Sequence, residues 1–177
     1  MTMYLSHAKI SVYIYRNNDW MKIKVLAIGK TDDKDLQNLF SKYEKRLKHY
    51  VKFDFEIIPD IRNVKNLSIK EQKEKEGEMI LKKIKATDQI ILLDEKGKEL
   101  RSVEFAKWMQ KKMNSGVKQL VLVIGGPYGF SNVLYQKASA KLSLSKMTFS
   151  HQMIRIFLVE QVYRAFTILK NEPYHHE

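Results

Sequence analysis

The chain has 177 residues, 44% of them hydrophobic and 29% charged, which suits one globular domain and excludes a disordered or fibrous chain. It has no cysteine, which excludes a disulfide scaffold, thiolate-held zinc, an iron–sulfur cluster and a cysteine nucleophile, and fits a reducing, cytoplasmic setting. Lys and Arg number 32 against 20 Asp and Glu, a net charge of +12 that draws polyanions, while no apolar run reaches the roughly 20 residues that span a bilayer, so no membrane partner is expected.

Residues 1–20 lack the basic start, apolar centre and small-residue cleavage site of a signal peptide. Ile10, Val12 and Ile14 alternate with Ser11, Tyr13 and Tyr15, as in an edge strand. The preferred reading is an N-terminal extension that is not part of the native domain. A single domain would then run over 21–177, opening at Met21. Residues 22–28 read as a first strand ending at Gly29. Residues 32–49 read as a helix started by Asp32 and Asp33, with Leu36, Leu39, Phe40, Tyr43 and Leu47 as its apolar stripe. Residues 52–58 alternate as a strand and stop at Pro59. Ser68, with Glu71 three residues on, predicts a capping box and a helix to about Lys85, with Ile69, Met79, Ile80 and Ile84 toward the core.

Residues 89–93 form a short continuous apolar run, as expected of a buried parallel strand. Asp94 to Lys98 reads as a turn. A helix from Ser102 to Gly116 follows, then a second buried strand over 120–124, running into Gly125-Gly126-Pro127-Tyr128-Gly129. A short helix from Ser131 to Ser139 and a short strand over 142–145 precede the most apolar helix, His151 to Lys170. This alternation predicts an α/β domain, a parallel sheet with helices on both faces. Ligands bind such sheets at the C-terminal strand ends, which singles out three loops: after Leu93, at 125–129 and at 144–151.

Each loop admits a plain reading as well. Two glycines after a buried strand let a ligand approach the backbone, yet a tight turn needs them equally. The spacing is neither the dinucleotide fingerprint nor a Walker loop. Leu144 to His151 combines apolar side chains with three hydroxyls, a cation and an imidazole, and a bound ligand could satisfy its main chain. Alternatively, Ser150 caps the last helix and His151 is exposed in its first turn. In that helix Arg155, Glu160, Gln161 and Arg164 stand among apolar residues. Pairing of Glu160 with Arg164 would explain two of them, and a second subunit could bury the apolar remainder. The five histidines are scattered, so no metal is expected. The charge is uneven: residues 101–159 carry nine basic groups and one acid, Glu104.

Ile124-Gly125-Gly126-Pro127-Tyr128-Gly129, Leu142-Ser143-Leu144-Ser145-Lys146-Met147-Thr148-Phe149, His151-Gln152-Met153, Glu160-Gln161-Val162-Tyr163-Arg164-Ala165 and Pro173-Tyr174-His175 together resemble the bacterial ribosomal RNA large-subunit methyltransferase H family. The likeness runs in order over 21–177; Ser150 departs from it, standing where the family usually has proline. The resemblance implies a SPOUT-type trefoil-knotted α/β domain, a homodimer, and S-adenosyl-L-methionine as cofactor. It implies methylation of N3 of a pseudouridine in 23S ribosomal RNA, with ribosomal RNA or the ribosome as partner. Carried over residue by residue, the cofactor site would be Leu93, Gly125, Leu144, Ser145, Lys146, Met147, Thr148 and Phe149.

A methyl sulfonium is already a good electrophile, so positioning and removal of the acceptor proton are what remains for the protein. His151, Tyr174 and His175 are candidate bases or ring partners, and Arg155 and Arg164 candidate oxyanion or phosphate partners. Lys107, Lys111, Lys112, Lys141 and Lys146 are candidate RNA contacts. Two other classes fit parts of the pattern: a non-catalytic RNA-binding module of SPOUT-like fold, and a nucleotide-binding α/β regulator, which the missing phosphate fingerprints disfavour.

Overall fold

The computed structural model describes residues 21–175; the extension expected over 1–20 lies outside them. Five parallel strands, β1 (Lys22–Ile28), β2 (Phe53–Ile58), β3 (Gln89–Glu99), β4 (Gln119–Ile124) and β5 (Ala140–Ser143), form one sheet in the order β2-β1-β4-β3-β5. Between them run α1 (Lys34–Leu47), α2 (Ile69–Leu81), α3 (Ser102–Asn114), α4 (Asn132–Lys137) and α5 (Met153–Leu169). The period-two alternation of the central strands sends side chains to two cores. Val25, Leu120, Leu122 and Ile91 meet Leu47 of α1, Phe105 and Met109 of α3, and Leu158, Val162 and Phe166 of α5. Leu26, Leu92, Val121 and Val123 meet Ile80 of α2 and Leu134 of α4 on the opposite face. Helices therefore cover both faces, as the alternation of elements predicts.

The helix starts follow the cap chemistry. Asp33 Oδ1 accepts from the amides of Asp35 and Leu36 at 2.8 and 3.1 Å. Ser68 and Glu71 close the expected capping box. Ser131 Oγ accepts from the amide of Leu134. Several boundaries differ from the sequence reading. The second helix stops at Leu81, and Ile69 is 56% exposed in its first turn rather than buried. The fifth strand lies two residues earlier than expected, because Ala140 and Lys141 pair with Ile91 and Leu92 on an edge where a lysine can face water. The last helix begins at Met153, whose amide donates to Ser150 Oγ at 3.2 Å.

The largest difference concerns Asp94 to Lys98, which is not a free turn. Leu142 stands in register with Leu93 and again with Lys98, so the intervening chain bulges away and returns to β5. Where it returns, Gly97 lies on the backbone of Leu142, and a Cβ there would sit 2.4 Å from the Leu142 carbonyl carbon. Only glycine permits that approach. The turn-like composition of 94–98 conceals a contact made with residues far along the chain. The burial of α5 also differs from expectation: Leu158, Val159, Val162 and Phe166 are covered by the chain itself, and Phe157 is its one large apolar residue left outward.

Candidate active site

The C-terminal ends of all five strands enclose a cavity of about 630 Å³. Ile28 ends β1, Asp60 follows β2, Leu93 closes the first paired run of β3, Ile124 ends β4, and Leu142 and Ser143 end β5; all line the cavity. Its size is that of a small-molecule site, and its place is the crevice that parallel sheets reserve for ligands. The three loops singled out from sequence converge here. Of the residues expected to hold a cofactor, Leu93, Gly125, Leu144, Ser145, Met147, Thr148 and Phe149 line the cavity. Lys146 does not. Ser143 Oγ donates to the Ser145 carbonyl at 2.8 Å and the Met147 amide to Ser145 Oγ at 2.9 Å, a tight turn with the exposed Lys146 on its outside.

The glycine loop is built differently from its sequence reading. A Cβ on Gly125 would fall 2.9 Å from Phe130 Cε1, and one on Gly126 would fall 2.4 Å from Glu76 Oε2. The missing side chains make room for protein beneath the loop, while the main chain borders the cavity. Glu76, buried on α2, accepts from the Gly126 amide and from Gln72 Nε2 at 2.8 Å. Burial pushes its carboxyl above the usual range, and nearby Asp60 adds to the rise. The adjacent Gly77 admits Ser131 against the helix, since a Cβ there would lie 2.3 Å from Ser131 Oγ.

Among the described residues, the charged side chains lining the cavity are Asp60, Asp94 and Glu95, with no Lys or Arg, in a chain of net charge +12. Such a lining favours a cationic ligand. Apolar Leu93, Ile124, Leu144, Phe149 and Ile154 supply the rest of the wall. Among the described residues, the amides of Lys146, Thr148 and Phe149 donate to no group of the chain, which leaves main-chain donors beside the cavity. Carboxylates, apolar walls and free main-chain donors suit a molecule that joins a sulfonium and an ammonium to a nucleoside, so the residues present fit S-adenosylmethionine.

The family model described as predicted SPOUT methyltransferase matches residues 21–175. The chain belongs to the SPOUT methyltransferase family. A relative from Flavobacterium johnsoniae named ribosomal RNA large subunit methyltransferase H is 68% identical over 157 residues, covering 89% of this chain and 100% of the relative. One of the same name from Flavobacterium psychrophilum is 67% identical over the same shares. The crystal structure of the SpoU methyltransferase AviRb from Streptomyces viridochromogenes, in complex with the cofactor AdoMet, is 10% identical at a TM-score of 0.40, over 86% of this chain and 63% of that one. That last likeness is below what establishes a shared fold.

The cavity does not gather every candidate for catalysis. His151 lines the cavity and is exposed. Arg155 points elsewhere: it is 1% exposed, and its guanidinium donates to the carbonyls of Ile28 and Gly29 at 2.7 and 2.9 Å and to Thr31 Oγ1 at 2.7 Å. Both terminal nitrogens tie α5 to the end of β1, the buried Nε has no partner in the chain, and the side chain is not on the cavity lining. Tyr174 and His175 lie outside the cavity lining, beside the second half of α5. Tyr174 donates to Glu160 Oε1 at 3.0 Å, and the Arg164 guanidinium lies over its ring at 4.8 Å. Arg164 pairs with Glu160 at 2.6 Å and approaches His175 Nδ1 at 3.4 Å. Burial, then the hydrogen bond with Tyr43, pushes the Tyr174 hydroxyl well above its usual range. It is a donor at neutral pH and not a base.

Sequence reasoning missed Asp60, Phe130 and Glu76. Asp60 follows a strand whose C-terminal end the sheet rule already marked. Glu76 is indistinguishable by composition from the solvated charges around it. The signal was its neighbour, since a glycine in the middle of a helix needs a packing reason.

Proposed function

We propose that this chain transfers a methyl group from S-adenosyl-L-methionine to N3 of a pseudouridine in 23S ribosomal RNA, in the cytoplasm and as a homodimer. One observation carries the reading: among the described residues, the cavity at the strand ends bears carboxylates as its only charged side chains, in a strongly basic chain. A cationic cofactor and a polyanionic substrate then have separate places to bind. The relatives named ribosomal RNA large subunit methyltransferase H supply the substrate class. The bound cofactor supplies an electrophilic methyl group, which needs no further activation. Asp60, Asp94 and Glu95 provide the field that holds a cation, and Leu144, Phe149 and Ile154 exclude water from one wall. Among the described residues His151 is the one imidazole on the lining, and it serves as acceptor of the N3 proton or as a hydrogen-bond partner of the ring.

Two features support the finer parts of the reading. The close contact of Gly97 with the backbone of Leu142, far along the chain, fits the tight C-terminal packing of a trefoil-knotted fold. Met147, 75% exposed, and Phe157, 37% exposed with its ring 4.7 Å from Phe149, leave an apolar patch at the mouth of the cavity that a second copy would cover. The domain over 21–177, with 1–20 as an extension, is part of the same proposal. To test it, purified protein and labelled cofactor are incubated with ribosomes lacking the modification, and 23S RNA is mapped by mass spectrometry. One methyl group on a pseudouridine is expected. Cofactor binding without transfer to any form of the RNA overturns the catalytic reading and leaves a binding module.

A further inference from the structure

Beside the cavity, on the α2 and α4 side of the sheet, lies a groove of about 540 Å³ lined by Lys73, Asp94, Lys96, Tyr135 and Lys141 among others. Its three lysines come from separate elements: α2, the bulged segment of β3, and β5. Among the described residues Asp94 is the only acid on its lining, and both carboxylate oxygens are engaged. Oδ2 accepts from the Tyr135 hydroxyl at 2.5 Å, and Oδ1 accepts from the Lys96 amide at 2.8 Å. Among the described residues none of the three lysines forms an ion pair, whereas Lys24, Lys48 and Lys83 do. Lys141 instead stands 5.5 Å from the centroid of the Tyr135 ring. Asp94 also lines the larger cavity, so the two spaces share a wall while their linings carry opposite charge.

We infer that this groove is the track for the phosphate backbone of the RNA, delivering the target nucleotide to the acidic cavity. The inference rests on the reading of the chain as a ribosomal RNA methyltransferase. Three positive charges spread along an open groove match a chain of phosphates better than a single anion. A second copy of this chain, itself of net charge +12, would be repelled there. Of the lysines that the sequence suggests for RNA, Lys141 belongs to the groove. Lys107, Lys111 and Lys112 belong to α3, which packs on the other face of the sheet.

The test compares the wild-type chain with K73A/K96A/K141A, with the same three positions changed to arginine, and with K107A/K111A. Methyl transfer to 23S RNA and direct RNA binding are both measured across a salt series, with cofactor affinity from calorimetry. For the alanine triple we expect KM for RNA to rise on the order of tenfold. The slope of log affinity against log salt should fall by about 2, since each neutralised phosphate on a single strand contributes roughly 0.7. Unchanged cofactor affinity and kcat at saturating RNA should accompany this, the arginine triple should behave as wild type, and K107A/K111A should change little. An alanine triple with wild-type RNA affinity and salt slope overturns the inference, as does a weakening confined to K107A/K111A. If the wild type binds RNA but transfers no methyl group, the catalytic reading fails, and the binding series still decides the groove.

Discussion

The carboxylate of Glu76 and the backbone of Gly126 are in direct contact, across a gap that a single methyl group at position 126 would close to 2.4 Å. The glycine loop is therefore held from below by a buried acid on α2. Gly125 has the matching relationship to Phe130, at 2.9 Å. Replacing Gly125 with valine should thus lower thermal stability and cofactor affinity together, because Phe130 must move before the loop can settle. A valine variant with weakened affinity alone, at unchanged melting temperature, would show that ligand space and not packing selects the glycine.

Two carboxylates should give the stability curve slopes of opposite sign. Burial raises Glu76 above its unfolded value. The folded state therefore holds its proton longer, and stability falls as pH rises from the unfolded value through the raised folded one. Lys24 and Lys83, each 2.7 Å from a Glu56 oxygen, lower Glu56. Its contribution is present above the unfolded value and is lost as pH falls through the lowered one. Glu76→Gln should flatten the first slope and Glu56→Gln the second, in urea midpoints measured from acid to neutral pH. Identical pH profiles for wild type and Glu76→Gln would remove the assignment.

Arg155 should matter to folding more than to chemistry. Arg155→Met leaves the carbonyls of Ile28 and Gly29 without their donor in a dry site, a cost of about 2–4 kcal/mol. Urea denaturation measures it. Lysine cannot span the same acceptors with a planar fork and should recover little. A stable Arg155→Met protein with abolished methyl transfer would instead place the guanidinium in the reaction.

The patch of Met147, Phe149 and Phe157 makes the association state testable at one residue. Phe157→Asp should convert a dimer into a monomer, since burying an unpaired carboxylate there costs several kcal/mol. Light scattering reads the outcome. Because Met147 and Phe149 also line the cavity, cofactor affinity should weaken with dissociation. Wild-type protein that is monomeric at micromolar concentration rejects the homodimer.

The sheet was legible because its central strands are buried on both faces and read as unbroken apolar runs, as at Ile90 to Leu92 and Leu120 to Ile124. The three site loops were legible from topology, since every parallel strand delivers its following loop to one edge. Arg155 was not, because in a linear reading a buried arginine with main-chain partners looks the same as one aimed at a substrate. Nor was the groove, whose Lys73, Lys96 and Lys141 lie far apart in sequence amid many other lysines. Gly97 was misread for a similar reason: the backbone it touches is Leu142, and local composition says nothing of so distant a neighbour.

That contact also sets a clock. When Gly97 leaves the ribosome during synthesis, the strand it must lie against does not yet exist. The segment from Asp94 to Glu99 has to wait for Leu142 before it can take its final path. Completing this part of the sheet requires closing a long loop, a slower kind of event than the local formation of α2 or α3. The same segment carries Asp94 and Glu95 to the cavity and Lys96 to the groove. A newly made chain therefore acquires both binding surfaces in one late event, and before it the nascent protein has neither.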